Sequence, residues 1–187
     1  ETSEALRQRD ELLRATFNAT ADGILVVDSD GRVSQMNERF RQMWRIPAEM
    51  AARGDDRELI EFVTAQLADP QGFLAGVAEL YHNEREELTE VNFKDGRVFE
   101  RYSVPIKAGS EIRGRLWDFR DITARKQAEA ELRASRESYR HLLDNTPLPL
   151  VISRRGDERV KYLNRAALKQ FGLSESDIEE GLCGLDF

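Results

Sequence analysis

Apolar and polar positions along the chain switch repeatedly between helical and strand periodicity. Leu6, Leu13 and Phe17 recur near helical spacing with charges between them, which predicts an amphipathic helix over residues 1–17. Residues 23–27 form a short apolar run with β-branched members, the pattern of a buried strand. Asp28, Ser29, Asp30 and Gly31 read as a tight turn, with Gly31 free to take a positive φ, and residues 33–36 return as a second strand. Asn37 can cap a helix over 38–44, which Pro47 ends. Helical spacing resumes over 56–86 and is broken by Asp69 and Pro70. Three strands follow, at 88–93, 98–106 and 112–120. The first two are joined through Lys94, Asp95, Gly96 and Arg97, the last two across Ala108, Gly109 and Ser110. Two strands, several helices and three strands predict an α+β fold. Its five-stranded antiparallel sheet should carry helices 37–86 on one face.

Residues 121–143 predict one long helix. Ala128, Leu132, Ser135, Tyr139 and Leu142 alternate four and three residues apart, the spacing of a coiled-coil seam. The Ala and the Ser weaken that seam, and a solvated connector helix is the other reading.

The opening pattern then recurs. Leu6, Leu13, Phe17 and Thr20 match Leu132, Tyr139, Leu143 and Thr146 at an offset of 126, and residues 24–27 match 150–153 at the same offset. One residue enters at the turn. Beyond it Arg32, Val33 and Asn37 match Arg159, Val160 and Asn164 at an offset of 127. Trp44 and Ile46 then match Phe171 and Leu173. A period this long is that of a domain rather than a solenoid repeat. The expected division is a flanking helix at 1–17, a domain at 18–121, a connector helix at 122–142 and the incomplete start of a second domain at 143–187. On this reading the sequence is a piece of a longer chain.

Composition narrows the function. The 187 residues are 40% hydrophobic and 34% charged, with a net charge of −7. That composition suits a packed core with solvated helical surfaces. An acidic chain lacks the basic face that nucleic acid requires. Cys183 is the single cysteine, which excludes an intrachain disulfide and a cysteine-based metal site. No apolar run approaches the roughly 18 residues of a membrane span. No nucleophile with a base, metal cluster or phosphate-binding glycine loop marks an enzyme.

Three strings resemble the PAS family. Residues 28–33 followed by Asn37 resemble its opening hairpin and helix cap, and residues 94–105 its third and fourth strands. Residues 114–123 resemble its last strand and exit motif, with Asp121, Ile122 and Thr123 the most specific part. The resemblance covers residues 1–124 as a whole domain and 128–187 as half of one. It implies the PAS fold: a cupped sheet closed by helices, with flanking helices at either end and ligand held between sheet and helices. It also implies a bacterial, cytoplasmic signalling protein whose output domain, a histidine kinase or diguanylate cyclase, lies outside these residues. The ligand-free alternative is a dimerisation or spacer module.

Strand alternation places Arg115, Trp117 and Phe119 on one face of the last strand, and Phe99, Arg101 and Ser103 on one face of the fourth. The resemblance to flavin-binding relatives puts Val91, Arg101 and Phe119 where those proteins carry flavin-reading amides. Cys183 lies in the second copy, away from the photoreactive position, so a flavin photosensor is disfavoured. Haem needs an axial ligand, usually His. His82 is followed by charged residues and reads as a solvated helix end, while His141 reads as a partly exposed helix residue. No cofactor is therefore expected. Candidate ligand contacts are Arg101, Ser103, Val91, Phe99, Trp117 and Phe119. Arg101 would hold a small anionic metabolite through a two-pronged contact, or be consumed by an internal salt bridge, for instance to a glutamate on the helices. Asp121, Ile122 and Thr123 would carry a change into the connector helix. The paired flanking helices predict a parallel homodimer.

Overall fold

The computed structural model describes residues 2–53, 55–81, 83–154, 159–179 and 182. The chain opens with α1 (Thr2–Asn18), β1 (Gly23–Asp28) and β2 (Val33–Met36). Four helices follow: α2 (Glu38–Met43), α3 (Ala48–Arg53), α4 (Asp56–Ala65) and α5 (Pro70–Tyr81). Strands β3 (Glu87–Asn92), β4 (Val98–Ala108) and β5 (Glu111–Asp121) complete the sheet, and β5 runs into α6 (Thr123–Asp144). The sheet is antiparallel throughout, in the order β2-β1-β5-β4-β3. Strand β1 therefore lies between its sequence neighbour β2 and the last strand, β5. Their backbones approach closely at Gly114, where a Cβ would stand 2.2 Å from the Val27 carbonyl oxygen.

The helices cover one face. Val27, Val91, Phe99, Trp117 and Phe119 from the sheet meet Phe40, Trp44, Leu59, Val63, Val77 and Leu80 from the helical layer in one core. On the opposite face Ile24, Val26, Tyr102, Val104 and Leu116 stay partly exposed. The alternation read from β4 and β5 holds: Phe99, Arg101, Ser103, Arg115, Trp117 and Phe119 are all buried.

Local rules explain most element boundaries. Gly31 and Gly96 take φ of 79° and 86°, as their turns require. Asp55 accepts from the amides of Arg57 and Glu58 and so caps α4. Helix α3 departs from the sequence reading, which stopped at Pro47. Pro47 also opens a helix, since its carbonyl accepts from Ala51 N, and Ala, Glu, Met and Arg are all good helix formers. Residues 83–86 were expected to be helical and are not. The Asn83 side chain donates to the Glu79 carbonyl and accepts from Arg85 N, which turns the chain away after α5.

Contacts divide the chain into two compact units between Lys126 and Gln127. The second contains β6 (Val151–Ser153) paired antiparallel with β7 (Val160–Leu163), then α7 (Arg165–Phe171) and α8 (Glu175–Glu179). Val160, Leu163 and Ala167 form its small core, while Leu148, Val151 and Ile152 remain exposed. Two strands followed by two helices repeat the opening order of the first unit.

Candidate functional site

Asn37 does more than cap. It is fully buried, and its Oδ1 accepts from Phe40 N at 2.8 Å and from Ile24 N at 2.9 Å. Its Nδ2 donates to the Phe17 carbonyl, the Thr20 hydroxyl and the Asp22 carbonyl at 2.9–3.1 Å. One amide thus ties the end of α1, the start of β1 and the first turn of α2 together. Asn164 repeats the arrangement in the second unit. It accepts from Leu150 N and Ala167 N and donates to the carbonyls of Leu143, Thr146 and Leu148.

The exit is built at the same end of β1 and β5. The Asp22 carboxylate takes both Arg120 Nε and Nη2, at 3.0 and 2.7 Å, on the residue before the exit motif. Asp121 Oδ1 accepts from Thr123 N at 2.9 Å. Ile122 is buried, and its amide donates to the Val98 carbonyl at 3.0 Å. Thr123 Oγ1 accepts from Val98 N at 3.0 Å. The first turn of α6 adds two ion pairs to the open face of the sheet: Arg125 with Glu100 at 3.1 Å and Lys126 with Glu90 at 2.5 Å. Glu90 and Glu100 are cross-strand partners, a pairing of like charges that these cations offset.

Two buried guanidiniums flank Trp117 on the covered face. Arg101 donates to Glu87 Oε1 and Thr89 Oγ1, each at 3.0 Å, and its guanidinium lies over the Phe73 ring. The carboxylate that pairs it therefore stands on the neighbouring strand β3 and not on a helix, as the sequence reading had suggested. Arg115 has no carboxylate partner among the described residues. Its Nε donates to Ser103 Oγ at 2.7 Å, its Nη1 to the Leu80 carbonyl at 2.8 Å and to the Asn83 carbonyl, and its Nη2 to the Arg85 carbonyl. It thereby satisfies carbonyls released at the end of α5, where a cation also meets the negative end of the helix dipole. Burial lowers the pKa of both arginines, an effect that Glu87 partly offsets.

Two hollows open against this face. One, of about 80 Å³, lies among Val27, Leu59, Val63, Phe73, Trp117 and Phe119. It has room for roughly two waters. The other, of about 400 Å³, runs between α5 and β3, with Val91 and Arg101 on its walls. Of the six candidate contacts, Trp117 and Phe119 line the first hollow, and Val91 and Arg101 the second. Phe99 is packed among the rings of Trp44 and Phe93, and Ser103 is engaged by Arg115. Sequence reasoning placed Arg115 on the correct face but did not find its role. His82 and Cys183 lie outside the described residues. Among the described residues no group of three or more His, Cys, Asp or Glu could hold a metal, and no helix is long and apolar enough to cross a membrane.

Comparison with known proteins bears on this architecture. A family model described as the PAS fold matches residues 17–130, and one described as a PAS domain matches residues 137–187. Among solved structures, the sensor region of a sensor histidine kinase is 20% identical over 56% of this chain, with a TM-score of 0.47. This chain spans only 40% of that one. The PAS domain of an HTR-like protein from Haloarcula marismortui is 20% identical over 65% of this chain and 98% of its own, with a TM-score of 0.47. The PAS domain of Bordetella pertussis BvgS is 23% identical over 70% of this chain and 98% of its own, with a TM-score of 0.47. No curated protein matches. With a family match over residues 17–130 and the sheet order β2-β1-β5-β4-β3, the chain belongs to the PAS family.

Proposed function

We propose that residues 18–121 form a sensory and relay module in signal transduction. A ligand or partner alters the covered face of the sheet, and β5 with its exit motif passes the change to the connector helix at 122–142 and on to a downstream output domain. The observation that carries this reading is the joint at Thr123. The last strand enters α6 while Ile122 N and Thr123 Oγ1 are both bonded to Val98, and Arg125 and Lys126 hold the first turn to the sheet. A shift between β4 and β5 therefore has to move the base of the helix.

The test couples binding to that joint. A small-molecule library is screened by thermal shift. A ligand present at about a hundredfold above its Kd adds roughly 2.7 kcal/mol to stability. The expected result is a binder that raises the melting temperature and also changes amide exchange at residues 123–130. Binders that raise the melting temperature and leave 123–130 untouched would defeat the relay. The small size of the 80 Å³ hollow favours a second reading, a ligand-free spacer, which a screen without any binder supports.

Assembly belongs to the same proposal. Leu6 and Leu13 on α1 are exposed at positions that match Leu132 and Tyr139 on α6, which are exposed as well, as is Leu142. A parallel homodimer in the cytoplasm would cover them. Replacing Leu6→Glu and Leu132→Glu together should shift the mass measured by light scattering from dimer to monomer. A parent protein that is monomeric at high concentration contradicts the dimer.

A further inference from the structure

The edge of the sheet at β3 is covered by the chain itself at one end only. Residues 66–68 run beside that end: Ala68 N donates to the Asn92 carbonyl and Lys94 N to the Gln66 carbonyl, each at 2.9 Å. The backbone groups of Asn92 therefore face away from β4. Val98, opposite Asn92, agrees, since it directs its own N–H and C=O to Thr123 and Ile122. Backbone groups alternate sides along a strand, so those of Glu90 and Leu88 face outward as well. After Ala68 the chain turns off through Asp69 into α5 at Pro70. Among the described residues no backbone continues the line beside Glu90 and Leu88. An edge left open in this way is a template for another strand.

Space is present where such a strand would lie. The larger hollow, of about 400 Å³, runs along Glu87, Thr89, Glu90, Val91 and Asn92. Across from them α5 presents Gly72 and Gly76, so part of the far wall is bare helix backbone. Apart from proline, glycine is the residue least suited to a helix interior. Beyond the helix's own backbone, only Arg101 Nη2, at 3.6 Å, comes within 4 Å of a Cβ built at Gly76. Leu88 adds an apolar side chain, 63% exposed, on the open face beside the same edge.

Charge selects the occupant. Asp69, Glu87 and Glu90 line the hollow against one guanidinium, that of Arg101. Glu87 is paired with Arg101 and Glu90 with Lys126, whereas no cation pairs with Asp69 among the described residues. The β3 strand of a second copy would bring the same glutamates to the same edge, and like charges facing each other across a ladder are destabilising.

We propose that β3 docks an extended, basic segment of another protein, which joins the sheet as a further strand. Its backbone bonds to Leu88 and Glu90, a Lys or Arg meets Asp69, and alternate small apolar side chains enter the hollow against Phe73. The inference goes beyond the sensory reading and does not depend on it, because the edge is open whatever β5 relays.

The experiment selects short random peptides displayed on phage against the full chain. The enriched sequences are synthesised and their binding is measured by fluorescence anisotropy. Enriched peptides are expected to carry net positive charge, with Lys or Arg at alternating positions. Leu88→Pro removes one outward N–H and leaves every charge and the ladder to β4 in place, since proline is tolerated on an edge strand. It should weaken binding by about tenfold or more. Asp69→Asn keeps the oxygen that holds Gly72 N and removes the charge, and it should also weaken binding by about tenfold. Methylating alternate peptide amides tests the same bonds on the unaltered chain: one set of methyl groups should abolish binding and the other leave it unchanged. Circular dichroism checks that both variants fold. Enrichment of no peptide, enrichment of peptides without net positive charge, or binding indifferent to Leu88→Pro and to both methylation sets would overturn the inference. Self-association of the parent chain that Leu88→Pro abolishes would assign the edge to a second copy and overturn it too.

Discussion

Arg115→Met should cost about 3 kcal/mol, with a drop in melting temperature of roughly 10 °C or more. The side chain is 2% exposed and serves three carbonyls and one hydroxyl. Methionine fills much of the volume but donates nothing. Each buried acceptor left unpaired costs about 1–3 kcal/mol, and removing a desolvated cation returns part of that. The Leu80 carbonyl lies in the last turn of α5, so the damage should appear first as faster amide exchange at residues 80–87. Arg115→Lys should recover only part of the loss, because an ammonium cannot span carbonyls that the planar guanidinium reaches together. Urea melts of the three proteins settle it. A Met variant as stable as the parent would mean the carbonyls find other partners.

Asn37 offers the second large effect, and two substitutions separate its two roles. Asn37→Ala removes both the cap and the bonds to the end of α1, at a cost of about 3 kcal/mol or more. Against the 5–15 kcal/mol typical of a domain, that is a substantial fraction of stability. Asn37→Asp keeps an acceptor for Phe40 N and Ile24 N but places a carboxylate oxygen against the carbonyls of Phe17 and Asp22. The Asp variant should therefore hold α2 and release α1. Exchange should quicken at residues 12–22 and stay slow at 38–44. Equal loosening of both segments in the Asp variant would show that cap and tie cannot be separated.

Much of this fold was legible in the sequence for identifiable reasons. The strands announce themselves because Gly31 and Gly96 demand turns and because apolar alternation on β4 and β5 has one consistent phase. The repeat was legible because Asn37 and Asn164 sit at the same point of two matching hairpins. What alternation cannot supply is a partner distant in sequence. Arg115 reaches carbonyls 30 to 35 residues earlier, and nothing in their side chains advertises them. The same holds for Glu87. It faces Arg101 because Thr89 stands opposite Arg101 in the ladder, a register fixed only once β3 and β4 pair. Asn37 was legible as a cap, since capping is local, but its bonds to Phe17 and Asp22 depend on how α1 ends. Helix α3 was obscured by Pro47, whose power to stop one helix masks its aptitude for opening the next.

The bond between Asp22 and Arg120 joins residues 98 apart in sequence at the point where the chain enters β1 and leaves β5. Gly23 pairs with Phe119 just beside it. Entry and departure therefore occur at one end of two adjacent antiparallel strands. Tension applied through α1 and α6 meets first the ties of Phe17 and Thr20 to Asn37, and of the start of α6 to Val98, Glu100 and Glu90. Once these have given way, it would load that ladder like a zipper pulled from its open end, parting Asp22–Arg120 and then one rung at a time. Strands loaded from opposite ends would share the force across every rung. The arrangement that gathers the chain's entry and its exit at one end of the ladder is also the one that makes the domain mechanically soft along its own chain.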